Sequence, residues 1–155
     1  MNLYLLRHAD ADTVAESDEA RFLSERGLAQ ARKVARFCDV QAFQISLVLT
    51  SPIRRAHETA LIVSAHLRSK MVIAPWLASG MSASTGAEEL RAYREEPGVM
   101  LVGHEPDFGQ LAAHLLGLPG SESIRIRKAS LTLIELETAD AGTARLLFSI
   151  PCKLM

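Results

Sequence analysis

The sequence predicts an α/β protein, a three-layer α/β/α sandwich around a mostly parallel sheet. Short apolar runs alternate with segments of helical periodicity along most of the chain. Three of these runs end directly in charged or titratable residues, as strands do when they carry ligand-binding groups to one edge of a sheet. The 155 residues are 48% hydrophobic, enough for one sizeable core. We therefore predict a single domain over residues 1–155.

The first half of the chain supplies the first strands and helices. Residues 2–6 are apolar throughout, which suits a strand covered on both faces, and Arg7 and His8 follow at once. Residues 10–19 are acidic and lack periodicity, which predicts a loop over the site. Ser24 is the expected N-cap of a helix that runs to about Cys38. A second strand is predicted at 47–49, followed by a helix that ends near Leu67, with Pro52 in its first turn.

The second half continues the alternation. We predict a strand at 71–73, a loop of mostly small residues at 75–85, a short helix at 86–96 and a strand at 99–102 that leads to His104. A helix at 107–116 follows, with Asp107 as its candidate N-cap. Two final strands are expected at 131–136 and 146–150. Arg125, Arg127 and Lys128 lie on a strand-like stretch before them.

Composition argues against several classes of partner. The 17 basic and 18 acidic residues give a net charge of −1, which provides no general attraction to nucleic acid or to a membrane surface. The basic residues at 125–128 are too few to predict a nucleic-acid site. No apolar stretch approaches the ~20 residues of a membrane span, and no secretory leader is recognisable. Two lone cysteines suggest a reducing compartment. We expect a cytoplasmic protein in which Cys38 is a core residue.

The polar residues at the strand ends predict an anion site. A shared sheet would bring Arg7 and His8, Arg54 and Arg55, and His104 to one rim. Guanidinium and imidazole groups would crowd unfavourably there unless an anion binds between them, and the planar fork of arginine suits phosphate oxygens. We therefore predict a phosphoryl site that also accepts phosphate or sulfate. A metal site formed by His8, His104 and Asp10 is an alternative, but the arginines would repel a cation, so we predict no metal and no cofactor.

Three motifs resemble those of the histidine phosphatase, or phosphoglycerate mutase-like, superfamily. The superfamily carries Arg-His-Gly after its first strand, then Ser-Pro-x-x-Arg-Ala, and then a second histidine after a later strand. The corresponding segments here are Arg7-His8-Ala9, Ser51-Pro52-Ile53-Arg54-Arg55-Ala56 and Gly103-His104-Glu105-Pro106. The segment 18–27 is similar to the bacterial SixA-type phosphohistidine phosphatase branch, as are 103–106 and 150–154. The resemblance implies a phosphoglycerate mutase-like fold.

The same resemblance implies an activity and a role for each site residue. It suggests removal of phosphate from a histidine-phosphorylated signalling or phosphotransfer protein, through a covalent phosphohistidine enzyme. His8 would be the nucleophile, and Arg7, Arg55 and His104 would hold the phosphoryl group. Arg55 rather than Arg54 matches the family arginine because it directly precedes Ala56. Arg21 matches a family position near the entrance.

Several roles remain open at this level. Arg21 either contacts the phosphate or the partner protein, or pairs with Asp18 within its loop. A structural or rim position is expected for His57 and Glu58. Ala9 stands where most members have glycine. Its methyl group would narrow the pocket if this position requires a positive φ or the close approach of another group.

The sequence also bears on the leaving group. No carboxylate lies between Lys70 and Gly86, where larger members carry a general acid. Such an acid is commonly worth ~10²–10⁴-fold for an alcohol leaving group, whereas imidazole, with a pKa of ~6.5, leaves readily. The absence of a carboxylate from this segment therefore favours phosphohistidine as the substrate. Asp10, Glu88 and Glu89 stay open as acids. The alternatives are a small-molecule phosphomonoesterase of the same superfamily and a non-catalytic phosphate-binding domain.

Overall fold

The computed structural model describes residues 1–121 and 124–155, and these residues form the predicted layered fold. Strands alternate with helices up to the fourth helix, after which two strands follow each other. The elements are β1 (Asn2–Arg7), α1 (Glu25–Val40), β2 (Leu47–Thr50), α2 (Arg54–Leu67), β3 (Lys70–Ile73), α3 (Ala83–Leu90), β4 (Gly98–Gly103), α4 (Asp107–Leu115), β5 (Leu131–Leu136) and β6 (Ala144–Ile150). Short 3₁₀ turns lie at Pro75–Leu77, Arg91–Tyr93 and Cys152–Leu154.

The sheet has the strand order β3-β2-β4-β1-β5-β6. Strands β1 to β4 are joined by parallel pairings, whereas β5 runs antiparallel to β1 and β6 runs antiparallel to β5. In the central pair Arg7 lies opposite Gly103, and Thr50 of β2 lies opposite Val102. The carboxyl ends of β1, β2 and β4 therefore share one edge of the sheet, as the motif positions predict.

Helices cover both faces of this sheet, which confirms the three-layer prediction. Tyr4 and Leu6 of β1 pack into the core under α1 and α2, while Leu3 and Leu5 pack into the core under α3 and α4. All four side chains are at most 1% exposed. Burial on both faces explains the continuous apolar run, since alternate residues of a strand point to opposite sides.

The first helix follows the sequence closely. Its N-cap is Ser24, whose side chain accepts a hydrogen bond from Gly27 N at 3.1 Å. A side chain at Gly27 would overlap the carbonyl of Asp10, so glycine allows the loop after β1 to lie against this helix. Cys38 is buried, as predicted, and burial raises the pKa of its thiol to about 12.

Helix α3 differs from the prediction. It begins after Ser82, which accepts from Thr85 N at 3.1 Å, and it ends at Leu90 rather than at Glu96. The small residues at 82–85 suggested loop, but Ser82 caps a first turn there. Gly86 lies within this helix, where close contact with Met81 leaves little room for a side chain.

Three further local expectations are wrong. Asp107 is not an N-cap, because its carboxylate accepts from the loop amides of Gly80 (2.8 Å) and Met81 (3.2 Å). Pro52 precedes α2, and Ile53 occupies the cap position. Residues 124–128 form no strand, since backbone pairing resumes only at β5. None of the helices in the described chain is long and apolar enough to span a membrane.

Candidate active site

The site begins with His8, immediately after β1. Its ring Nδ1 lies 2.8 Å from the carbonyl oxygen of Ala9. Because a carbonyl can only accept, Nδ1 carries the proton, and Nε2 of the neutral ring is left with a free electron pair. Arg55 Nε donates toward that nitrogen at 3.3 Å. The backbone is held as well, since His8 N donates to Gly103 O at 2.9 Å and Ala9 N donates to Thr59 Oγ1 at 3.1 Å.

The environment of His8 keeps its ring uncharged. Burial lowers its pKa to about 3, and repulsion from His104, Arg55 and Arg7 acts in the same direction. Only the bond to the Ala9 carbonyl opposes this shift. At neutral pH the ring is therefore an uncharged base whose Nε2 carries no proton and accepts from Arg55 Nε.

His104 follows β4, beside His8 at the same edge. The two ring centroids are 5.3 Å apart, and burial together with the charges of Arg55 and Arg7 lowers the pKa of His104 to about 4. Its Nε2 lies 2.8 Å from Ser51 Oγ, which already accepts from Ile53 N at 3.2 Å. The hydroxyl proton of Ser51 is thus available to donate to Nε2. This arrangement favours the neutral tautomer that carries its proton on Nδ1.

Two buried donor positions in this region have no internal partner. Within the described residues, Arg7 Nε and His104 Nδ1 are almost completely buried and lack a hydrogen bond. A buried polar group left in this state costs ~1–3 kcal/mol. A tetrahedral oxyanion presents several acceptor oxygens and would satisfy both donors. The site is therefore built to bind an anion rather than a cation.

Arg55 lies in the first turn of α2 and is 6% exposed. Its Nη1 donates to Asp18 O at 2.6 Å and its Nη2 donates to Asp18 Oδ2 at 3.0 Å. With the bond to His8 these contacts use three of the five N–H groups that a guanidinium offers. Two donors remain for a ligand, and the acidic loop holds the side chain in place.

Arg7 is held by the segment before β5. Its Nη1 donates to Ile126 O at 3.0 Å, and Ile126 N donates in turn to the carboxylate of Glu105 at 3.2 Å. Ala129 N donates to the carbonyls of Arg7 (3.1 Å) and His8 (3.2 Å). Burial raises the pKa of Glu105 and lowers that of Arg7, while their mutual attraction opposes both shifts. Through the backbone of Ile126, the carboxylate of Glu105 thus helps to orient the Arg7 guanidinium.

Comparisons with known proteins agree with this geometry. Residues 3–79 match the family described as histidine phosphatase superfamily (branch 1). Across 99% of its length the chain is 29% identical to the phosphohistidine phosphatase SixA of Escherichia coli (strain K12), of which it covers 96%. The chain belongs to the histidine phosphatase superfamily. It is a phosphatase of that superfamily.

Solved structures of the superfamily share the whole fold. The protein histidine phosphatase SixA complexed with tungstate superimposes with a TM-score of 0.88 at 27% identity, and all of both chains is covered. The alpha-ribazole phosphatase from Shigella flexneri has the same fold, with a TM-score of 0.77 at 21% identity over 95% of this chain and 96% of that one. The phosphoglycerate mutase-like fold expected from the motifs is confirmed.

The structure brings together the four residues that the histidine phosphatase motifs single out. At one edge of the sheet lies a cluster that we call the clamp, formed by Arg7, His8, Arg55 and His104. The role of each residue stays a prediction. Arg54 points elsewhere: its exposed side chain pairs with Glu58 at 2.8 Å. As expected for rim positions, His57 and Glu58 are half-buried on the same helix.

Arg21 is engaged within its own loop. It forms an ion pair with Asp18 at 3.0 Å and donates to the backbone carbonyls of Asp12 (2.6 Å) and Ala11 (3.3 Å). Of the two roles left open, the structure shows the pairing with Asp18; contact with phosphate or partner stays a prediction. Since Asp18 also binds Arg55, Arg21 acts on the site through this shared carboxylate.

The carboxylates left open as general acids are placed unfavourably for that role. Asp10 accepts from Ser24 Oγ and from Lys128 Nζ, each at 2.8 Å. Burial alone would raise the pKa of Asp10, but these two bonds outweigh burial and lower the pKa. Asp10 is therefore ionised at neutral pH, whereas a general acid must carry a proton. Glu88 and Glu89 are exposed on α3. In the described chain, no three His, Cys, Asp or Glu residues are grouped as a metal would require.

Ala9 fits its position without strain. Its φ is not positive, and its methyl group is fully buried in the core on the α1 and α2 side. The alanine methyl group therefore packs into the core and does not narrow the pocket by strain at this position. Alanine in place of the family glycine adds apolar contact beneath the site.

Sequence reasoning missed the residues that orient the clamp. Thr59 is fully buried, accepts from Ala9 N and donates to Arg55 O at 2.7 Å, so it joins two of the motifs. One signal was available, because a threonine on an otherwise apolar face of α2 needs internal partners. Ser51 belongs to a recognised motif, yet its bond to His104 depends on the pairing of β2 with β4. Nothing local predicts that pairing.

Proposed function

We propose that this phosphatase hydrolyses phosphohistidine on a histidine-phosphorylated protein, a phosphotransfer domain or carrier, through a phosphohistidine enzyme intermediate. The observation that carries the proposal is the state of His8. Its ring is neutral and fixed by the Ala9 carbonyl, and its unprotonated Nε2 accepts only a long hydrogen bond, at 3.3 Å, from Arg55 Nε. Such an imidazole is a nucleophile whose electron pair is available at neutral pH.

The first step is transfer of the phosphoryl group to His8. Nε2 attacks phosphorus, a new P–N bond forms, and the P–N bond of the substrate breaks. The substrate ring leaves as neutral imidazole once its second nitrogen has taken a proton from solvent. Arg7, Arg55 and His104 would bind the equatorial oxygens, over which charge is spread in the transition state.

The second step is hydrolysis of the enzyme intermediate. A water molecule attacks phosphorus, the P–N bond to His8 breaks, and inorganic phosphate departs with the oxygen and both protons of the water, one of which passes on to solvent. Nδ1 keeps its proton throughout and donates it in a hydrogen bond to the Ala9 carbonyl, so His8 returns as the same tautomer. Neither step requires a carboxylic acid at the leaving group.

The choice of phosphohistidine rests on the carboxylates around the clamp. Asp10 is bound to Ser24 and Lys128, Asp18 to Arg55, and Glu105 to two backbone amides. An alkoxide leaving group would lack the ~10²–10⁴-fold assistance of a general acid, whereas imidazole does not need it. Two relatives support the choice: the Escherichia coli relative is a phosphohistidine phosphatase, and the SixA structure with the similar fold is complexed with tungstate, itself an oxyanion.

The test compares substrates and then traps the intermediate. A phosphohistidine peptide should be hydrolysed at least about 10²-fold faster than a panel of phosphate monoesters. Rapid quenching with labelled phosphohistidine should show acid-labile label on the wild-type chain and on a His57→Ala control, but not on His8→Asn. Faster turnover of esters would make the chain a small-molecule phosphomonoesterase. Equal turnover by wild type and His8→Asn would overturn the mechanism.

A further inference from the structure

A groove rich in basic side chains lies beside the catalytic edge. It has a volume of about 380 Å³ and is formed by four separate parts of the chain: the loop after β1, the start of α1, the segment before β5 and the C-terminal turn. We call it the basic groove. It is lined by Asp10, Arg26, Gln30, Arg127, Lys128, Pro151, Cys152 and Lys153.

The charge of this groove is local and not a property of the whole chain. Four cationic side chains face a single carboxylate, Asp10, which Lys128 binds at 2.8 Å. The sequence as a whole carries 17 basic and 18 acidic residues, so an even distribution would give no such excess. A second concavity continues from Arg26 and Lys153 and adds Lys33.

The basic groove adjoins the phosphoryl clamp through the backbone. Asp10 lies two residues after His8, and its main-chain oxygen accepts from Ser24 N at 3.1 Å. On the other wall, Ala129 follows Lys128 and donates to the carbonyls of Arg7 and His8. A ligand held in the clamp therefore has the basic groove along one side.

A second charged segment near the clamp has the other sign of charge. The loop at residues 12–19 carries exposed carboxylates, of which Asp18 binds Arg55 and Arg21. The surroundings of the clamp thus include an acidic loop and a basic groove. A protein that presents its phosphorylated residue to the clamp would meet both and be oriented by them.

The basic groove does not resemble a site for a small anion. Arg26, Arg127 and Lys153 are exposed and project from three different segments. The unpartnered buried donors of the described chain lie instead at Arg7 and His104. Exposed cations over a broad concavity match an extended acidic surface, to which they contribute long-range attraction.

We infer that the basic groove docks an acidic surface that flanks the phosphohistidine of the partner protein. The inference rests on the proposed function, because it assumes a protein-borne substrate. Rim charges act mainly on the rate of encounter and on salt dependence. The groove should therefore raise kcat/KM for acidic substrates at low ionic strength and leave the chemical step unchanged.

The experiment uses two phosphohistidine peptides that differ only in flanking residues, glutamate in one and glutamine in the other. Wild type should prefer the glutamate peptide by about tenfold in kcat/KM at low salt, and about 0.5 M NaCl should remove the preference. Arg127→Glu combined with Lys153→Glu should abolish it without changing turnover of free phosphohistidine. Arg91→Glu combined with Arg94→Glu, both exposed beside the cavity at the amino end of β1, changes the net charge equally and is the matched control, which should behave as wild type.

The outcomes separate this inference from the proposed function. Equal kcat/KM for both peptides in wild type would overturn the docking role while leaving phosphohistidine hydrolysis intact. A double variant that loses activity on free phosphohistidine as well would also overturn it, because the residues would then support the fold or the clamp. If no peptide is hydrolysed, the proposed function fails, and binding of the peptides to His8→Asn still decides whether the groove selects glutamate. Stronger competition by single-stranded DNA than by the glutamate peptide would assign the groove to nucleic acid instead.

Discussion

His8 and His104 occupy equivalent places after adjacent parallel strands, yet they are bonded in opposite ways. His8 is fixed through Nδ1 by a carbonyl, whereas His104 is fixed through Nε2 by a hydroxyl. Both rings are buried, and both pKa values are lowered, to about 3 and about 4. The carbonyl leaves the electron pair of His8 on Nε2, to which Arg55 Nε donates, and the hydroxyl favours the tautomer of His104 that carries its N–H on Nδ1. In the proposed mechanism, the hydrogen-bond partner of each ring therefore determines that His8 attacks phosphorus and that His104 binds its oxygens.

Removal of His8 should have the largest effect. His8→Ala removes the nucleophile, and we expect turnover of phosphohistidine to fall by at least about 10⁴-fold. Steady-state rates measure this loss, and binding of inorganic phosphate by calorimetry provides the control. Phosphate affinity should change only a few-fold, because the arginines remain. A variant that keeps substantial activity would show that the two histidines are not distinct in role.

Removal of His104 should be less severe. His104→Ala deletes one donor to the phosphoryl oxygens, and loss of one such donor typically costs ~10²–10³-fold in kcat. His8 remains competent, so acid-labile label should still accumulate on this variant, only more slowly. Rapid-quench labelling measures the rate. Absence of label at long times would make His104 as essential as His8 and would break the comparison.

The lowered pKa values predict how stability depends on pH. Below about pH 6.5 the two histidines bind protons in the unfolded chain, while in the fold they stay neutral down to about pH 4. The free energy of unfolding should therefore fall as the pH decreases through this window, by roughly 2 kcal/mol for each histidine at pH 4.5. Urea unfolding at pH 7 and pH 4.5 in phosphate-free buffer measures the change.

Variants separate the histidines from other titrating groups. Asp10 and Asp18, whose pKa values are lowered, also lose stabilising contacts as the pH falls. The difference between wild type and His8→Asn isolates the contribution of His8. If the variant shows the same dependence on pH as wild type, His8 is already charged or exposed in the fold.

Ser51 should have the smallest effect, and it acts through His104. Ser51→Ala removes the hydroxyl that sets the tautomer, and we expect a roughly tenfold loss of kcat. In a His104→Ala background the same substitution should have almost no effect, because its target is gone. The cycle of two single variants and one double variant measures this coupling. Additive losses would show that Ser51 supports the fold and not the second histidine.

The position of the candidate site residues could be predicted from the sequence, whereas the residues that hold them in place could not. Arg7, His8 and His104 directly follow apolar runs, so strand pattern alone brings them to one edge of the sheet. Their hydrogen-bond partners come from distant segments: Ile126 lies over a hundred residues from Arg7, and Thr59 lies fifty residues from Ala9. Such contacts depend on strand order and on the packing of α2, which no local pattern encodes.

Local errors arose where side chains have more than one use. Residues 82–85 looked like a loop because they are small and polar, but Ser82 caps a helix that contains the next three. Asp107 had the composition of an N-cap, yet its carboxylate holds the loop after β3. In both cases a tertiary or capping contact outweighed the propensity of the residue itself.

The proposed difference between His8 and His104 is measured most directly by the ¹⁵N spectrum of the histidine rings. The titration runs from about pH 8 to about pH 4.5, on both sides of the ordinary histidine pKa of ~6.5. Assignment follows from the loss of signals in His8→Asn and His104→Asn. We expect both rings to stay mostly neutral over this range, each with its proton on Nδ1. A His8 ring that titrates near pH ~6.5, or that carries its proton on Nε2, would contradict the account.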